Sequence, residues 1–133
     1  MIAIDTNILV RVLAKDDRKQ AETAAKILRS NDVFISKTVI LETEWVLRYV
    51  YKFETGEILG ALKKLLGLSN IFTEDFHILA EAISLSEKGL DFADALHLAS
   101  GTSADKFITF DKSLVGKARK SNIDKVMLPK HIT

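Results

Sequence analysis

The amino-acid sequence predicts an α/β fold, a three-layer α/β/α sandwich around a mainly parallel sheet of four to five strands. Short apolar runs rich in β-branched or aromatic residues recur at Ile2–Ile4, Val33–Ile35, Asn70–Phe72, Phe107–Phe110 and Lys125–Leu128, with stretches of helical periodicity between them. That alternation favours parallel pairing, because a parallel connection needs a crossover of about a dozen residues or more, which a helix supplies. The only proline, Pro129, lies beyond the last run, and no linker, repeat or low-complexity segment interrupts the chain. One domain over residues 1–133 is therefore expected.

Taken in order, the first strand stops at Asp5, a preferred helix cap, and a plausible helix follows. Asp17 with Gln20 makes a capping-box pattern, and Ala21, Ala24, Ala25 and Leu28 then fall at i, i+3, i+4, i+7, marking a helix over 17–30. After strand Val33–Ile35, Ser36 caps a helix to about Tyr51, and Thr55 caps another to about Leu66. Asp75 is expected to cap the next, with Phe76, Leu79, Ala80 and Ile83 facing inward before Gly89. Asp91 caps the helix of "LDFADALHLAS", strand Phe107–Phe110 runs into Asp111 and a further plausible helix, and Lys125–Leu128 closes the set.

At 133 residues the chain can bury one core but not two ordinary ones. Hydrophobic residues at 47% and charged residues at 28% exclude a disordered or fibrous protein. No uncharged apolar stretch approaches the roughly 18 residues of a membrane span, and Asp5 and Arg11 interrupt any signal core, so a cytoplasmic protein is expected. The absence of cysteine excludes disulfides and thiolate metal sites, leaving oxygen ligands. Net charge is only +1, yet residues 112–133 hold six Lys/Arg (Lys112, Lys117, Arg119, Lys120, Lys125, Lys130) against Asp124. That segment is +5 and the remainder −4, an asymmetry suited to a polyanion although a solvated basic face explains it equally.

Asp5 and Asp111 each follow a strand and so fall at the carboxyl edge of a parallel sheet, where open α/β sheets bind ligands. Capping alone also explains both. Glu42 shares a stripe with Val39, Trp45, Val46 and Tyr49, where a buried carboxylate needs compensation. Glu44 is its rival, with Arg48 at i+4 offering an ordinary ion pair. Asp94 lies in the first turn of a nearly all-apolar helix and is expected at a buried edge, while Asp91 reads as structural. If Asp5, Glu42, Asp94 and Asp111 converge, like charges repelling by ~4 kcal/mol per pair at 4 Å would hold protons or demand a cation. Oxygen donors without sulfur favour Mg2+ or Mn2+.

The segments "IDTNIL", "VILETEWVL", "DFADALHLA" and "ITFDKSL", in that order, resemble the motifs of PIN-domain ribonucleases, specifically VapC-like toxins of toxin–antitoxin pairs. The likeness runs from Ile2 to about Val126. It implies a PIN-like fold and an acidic quartet of Asp5, Glu42, Asp94 and Asp111, selecting Glu42 over Glu44 because Trp45 and Leu47 stand three and five positions on. Asp5, Asp94 and Asp111 would be metal ligands and Glu42 a ligand or orienter of the attacking water. Asn7 and Thr109 are implied polar neighbours, and Phe110 is an ordinary variation. The implied reaction is hydrolysis of RNA phosphodiesters by water activated with Mg2+ or Mn2+. Implied partners are RNA, a cognate antitoxin and a second copy of the chain, the homodimer face drawing on Trp45, Tyr49, Tyr51, Phe53 and the stripe Leu59, Leu62, Leu65, Leu66.

Arg11, Lys112 and the C-terminal basic residues are candidates for holding phosphates, although each singly could be solvated surface. His77, His97 and His131 are too scattered for a metal triad; His97, three residues after Asp94, could touch substrate. A phosphoacceptor receiver-like module is the alternative class, but Asp5 stands alone where a receiver pairs its acids, and "SNIFTED" is a poor acceptor turn. A non-catalytic PIN-like RNA-binding protein is a third reading, opposed by the presence of all four acids.

Overall fold

The computed structural model describes residues 1–132. The chain divides into two compact units, Met1–Phe76 and His77 onward.

In the first unit, β1 (Ile2–Ala3), α1 (Thr6–Ala14), α2 (Arg18–Ser30), β2 (Val33–Ile35), α3 (Lys37–Tyr49), α4 (Thr55–Leu66) and β3 (Ile71–Thr73) follow one another. The strands form one parallel ladder in the order β1-β2-β3, registering Ile2 with Val33 and Val33 with Ile71. Val33 and Ile35 of the central strand share one face and are wholly buried, while Phe34 on the opposite face is partly buried. The predicted cap Asp17 accepts from the Gln20 N–H at 3.0 Å. The Gln20 side chain does not complete the expected box: its Oε1 accepts from Arg11 Nε at 2.6 Å.

Ser36 caps α3 as predicted, accepting from the Val39 N–H at 3.3 Å. The buried stripe of α3 is Ile40, Thr43, Glu44 and Leu47, one position round from the expected one, and Trp45 and Tyr49 are about half exposed. Helix α4 starts at Thr55 with Glu54, not Thr55, as its cap, and Glu57 Oε1 accepts from the Glu54 N–H at 3.3 Å. Leu59, Leu62, Leu65 and Leu66 are all buried within the chain, which removes them from the expected homodimer face.

The second unit takes up α5 (Phe76–Glu87), which starts at the junction, then α6 (Phe92–Ser100), β4 (Phe107–Ile108), α7 (Lys112–Lys120), β5 (Val126–Met127) and a short 3-10 turn, Pro129–His131. Asp75, the expected cap of α5, has φ of +50° and gives its carboxylate to Lys37 Nζ at 3.0 Å. The buried stripe of α5 is Leu79, Ala82, Ile83 and Ser86, a clean i, i+3, i+4, i+7 series, whereas Phe76 and Ala80 are exposed. Gly89 ends the helix at φ +110°, a conformation that favours glycine. Strands β4 and β5 pair in parallel, Phe107 with Val126 and Ile108 with Met127. Lys125, read from sequence as a possible phosphate ligand, instead donates to the Gly101 and Ala104 carbonyls at 2.9 and 3.2 Å.

The chain is thus α/β with exclusively parallel strand pairs among the described residues. The five predicted strands are present, but their ladders hold three and two strands rather than forming one continuous ladder, and β1, β4 and β5 are only two residues long. Among the described residues no helix is long and apolar enough to cross a membrane.

Candidate functional site

In the first unit, Asp5 stands where β1 gives way to α1 and caps that helix, its Oδ1 accepting from the Ile8 N–H at 3.1 Å. The cap uses one carboxylate oxygen, so capping and ligation are compatible roles. The next residue, Thr6, is buried, and its hydroxyl donates to Glu42 Oε1 on α3. Thr6 thereby joins the strand-end acid to the helical one, a link the sequence reading missed.

Glu42 is exposed, contrary to the buried position expected of it, and so meets no large cost of desolvation. The buried carboxylate is Glu44, 1% exposed, which receives Arg48 Nε at 2.7 Å and Nη2 at 3.0 Å in a bidentate pair. That geometry is the i, i+4 ion pair foreseen for Glu44, sunk into the core, and it leaves Glu42 as the α3 acid facing outward.

Asn7 is exposed and, with Arg11, Lys19 and Gln20, lines a cleft of about 520 Å³ between α1 and α2. Arg11 is engaged within the fold: beyond Gln20, its Nη1 lies 3.2 Å from Asp16 Oδ1 and donates to the Tyr51 hydroxyl at 3.0 Å. The Tyr51 hydroxyl in turn donates to Asp16 at 2.8 Å. That bond, before any other influence, holds the Asp16 carboxyl below its usual range.

In the second unit, Asp91 caps α6, its Oδ2 accepting from the Asp94 N–H at 3.3 Å. Asp94 is partly buried, and its pKa is raised, first by desolvation and then by the charges of Asp91 and Asp111; His97 and Lys117 pull it the other way. Asp111, at the carboxyl end of β4, caps α7 by accepting from the Leu114 N–H at 3.1 Å. Its own N–H donates to Thr109 Oγ1 at 3.0 Å, giving Thr109 a turn-forming role. Lys112 is exposed at the start of α7. Lys117, one of the C-terminal basic residues offered by the sequence as phosphate candidates, is the cation of α7 that acts on Asp94.

The structure therefore associates Asp5 with Glu42 through Thr6, and places Asp94 within the electrostatic reach of Asp91 and Asp111. Among the described residues, no group of three or more His, Asp or Glu side chains is gathered in a way that could hold a metal ion. The chemistry of the donors nonetheless fits a hard divalent cation: they are carboxylate oxygens, and burial, followed by the charges of Asp91 and Asp111, disfavours the ionised form of Asp94.

The PIN domain family matches residues 2–120, a span that takes in all four acids, nearly all of the first compact unit and most of the second. No curated protein matches the chain. PIN domains are generally metal-dependent nucleases that act on nucleic acid. With that match over most of its length, and acids at the carboxyl ends of β1 and β4, the chain belongs to the PIN-domain family.

Proposed function

We propose that the protein is a Mg2+- or Mn2+-dependent endoribonuclease, the toxin of a VapC-like toxin–antitoxin pair, built as one PIN-like domain over residues 1–133 and acting in the cytoplasm. The reading of one domain is supported by a family match that does not stop at the boundary between the compact units. In this reading Asp5 and Asp94 are the leading metal ligands, Asp111 is a second-site or water-mediated ligand, and Glu42 is a ligand or the orienter of the attacking water. The single observation that carries it is the placing of Asp94, partly buried and within reach of the Asp91 and Asp111 carboxylates, so that its ionised form is disfavoured in a way a cation would relieve.

When bound, the ion supplies Lewis acidity, making water more nucleophilic and offsetting charge on the phosphoryl oxygens. The remaining work falls to the chain. The Thr6 hydroxyl fixes the Glu42 carboxylate so that it can accept a proton from a water in line with the phosphate. The Thr109 hydroxyl holds the turn that presents Asp111, while Asn7 and Lys112 are exposed to meet the nucleic-acid backbone. Arg11 is better suited to positioning α1 against α2 than to reaching phosphate, because its donors are engaged.

The antitoxin is proposed to close the acidic site with a basic or bulky side chain. The exposed Trp45, Tyr49 and Val50 of the α3 end remain as the homodimer face once the leucine stripe is assigned to the core. The functional test is direct. Purified protein should cut structured RNA with Mg2+ or Mn2+ and stop on chelation; cutting that survives both chelation and Asp5→Asn contradicts the assignment. Binding of RNA without cleavage under any divalent ion would favour the non-catalytic reading, and labelling by a small phosphodonor the receiver-like one.

A further inference from the structure

Phe110 is the most exposed of the large hydrophobic residues, 88% open against 44% for Phe72 and 53% for Trp45. It sits between Thr109 and Asp111, at the carboxyl end of β4. Single exposed apolar residues are common on surfaces and need no explanation by themselves. What distinguishes this ring is the rigidity and chemistry of its setting.

The backbone on both sides is pinned. The Thr109 N–H donates to the Met127 carbonyl at 3.0 Å, continuing the β4–β5 ladder. The Asp111 N–H donates to Thr109 Oγ1 at 3.0 Å, and Asp111 Oδ1 receives the Leu114 N–H at 3.1 Å. Thr109 and Asp111 are thus tied into strand and helix while the phenyl group between them extends into solvent on a preorganised turn. The next residue, Lys112, is exposed, and the Lys117 cation acts on Asp94 from the same helix, α7. An aromatic face on a rigid turn, two residues before an exposed lysine and adjacent to a proposed metal ligand, suits stacking on an unpaired base while that lysine meets an adjoining phosphate.

We infer that Phe110 is a substrate-binding residue that stacks on a nucleobase of single-stranded RNA beside the bond to be cut. This rests on the ribonuclease reading and adds a specific contact to it: a preference for unpaired substrate, since a base within a duplex offers no free face. The side chain contacts no reacting atom, so its loss should appear in KM and leave kcat nearly unchanged.

The test compares wild type with Phe110→Ala, Phe110→Leu and Phe110→Trp on an unpaired oligoribonucleotide with Mn2+. The Ala and Leu variants are expected to raise KM by about 5- to 150-fold with kcat within about twofold, and the Trp variant to retain the wild-type KM. Because Trp45 is the only tryptophan, F110W placed in a Trp45→Phe background reports on this site alone, and its emission should quench as RNA is added. An unchanged KM in Phe110→Ala, a Leu variant equal to wild type, or emission unmoved at saturating RNA overturns the inference. A change of oligomeric state in the Ala variant without a change in KM also overturns it, by assigning the ring to a protein contact. Failure of the wild type to cleave at all would strike the ribonuclease reading instead, and the fluorescence titration would still decide whether the ring meets RNA.

Discussion

The Thr6 hydroxyl donates to the Glu42 carboxylate across 36 positions of sequence, and Thr6 is the residue that follows Asp5. The bond ties the start of α1 to the middle of α3 and fixes the rotamer of an otherwise exposed acid. If Glu42 orients the attacking water, Glu42→Gln should lower kcat by about 100-fold or more while changing stability by less than about 0.5 kcal/mol. Thr6→Val should cost about 1 kcal/mol of stability, as loss of a part-exposed bond to a charged acceptor, and reduce kcat about tenfold. Thr6→Ser should restore both. Chemical denaturation alongside single-turnover cleavage separates the two effects.

Glu44 behaves oppositely. Its side chain is 2% exposed and is neutralised by Arg48 in two short bonds. Removing one partner strands the other charge in the core, so Arg48→Ala should destabilise by about 3 kcal/mol, whereas Glu44→Leu with Arg48→Leu should recover much of the loss. Cleavage per folded molecule should be unchanged in either protein. A folded Arg48→Ala protein with wild-type stability would show that the pair is not buried as described.

Stability should also depend on pH through Asp16. The Tyr51 hydroxyl, with Arg11 assisting, depresses the native pKa below the ordinary 3.8. A depressed carboxyl contributes stability above its unfolded pKa and loses it as pH falls through the lower, native one. Tyr51→Phe should therefore lower Tm slightly at pH 7, with the difference from wild type closing once the pH falls below the native pKa of Asp16. Parallel thermal melts from pH 7 to about 2.5 check this; a Tyr51→Phe deficit that persists at the acid end assigns the effect to packing.

Local signals made most of the fold legible. Ser36, Asp17 and Asp91 cap where the sequence places them, because an N-cap bond spans only three residues and needs no tertiary partner. The errors arise where a distant group competes for the same side chain. Gln20 is claimed by Arg11, and Asp75 pairs with Lys37, 38 positions away. On α3 a rotation of one position exchanges the two acids: Ile40, Thr43 and Leu47 carry Glu44 inward, while the more hydrophobic-looking Trp45 and Tyr49 remain outside. Periodicity alone could not distinguish a stripe that packs against the chain's own core from one left at its surface. For the candidate site, strand ends identified Asp5 and Asp111, but the Thr6 bond and the influence of Lys117 on Asp94 depend on folding and left no mark in the spacing.

The proposed role of Asp5, Glu42, Asp94 and Asp111 is to serve divalent-cation binding. Its most direct test is binding of Mn2+ to the chelator-treated protein, followed by electron paramagnetic resonance, for wild type and for Asp5→Asn, Glu42→Gln, Asp94→Asn and Asp111→Asn in parallel. Wild type is expected to bind saturably, with binding weakened about tenfold or more by Asp5→Asn and by Asp94→Asn, a loss of about 1.4 kcal/mol or more in each, and a smaller effect in Glu42→Gln. Wild-type protein that does not bind, or Asp5→Asn and Asp94→Asn proteins that bind as wild type does, would contradict it.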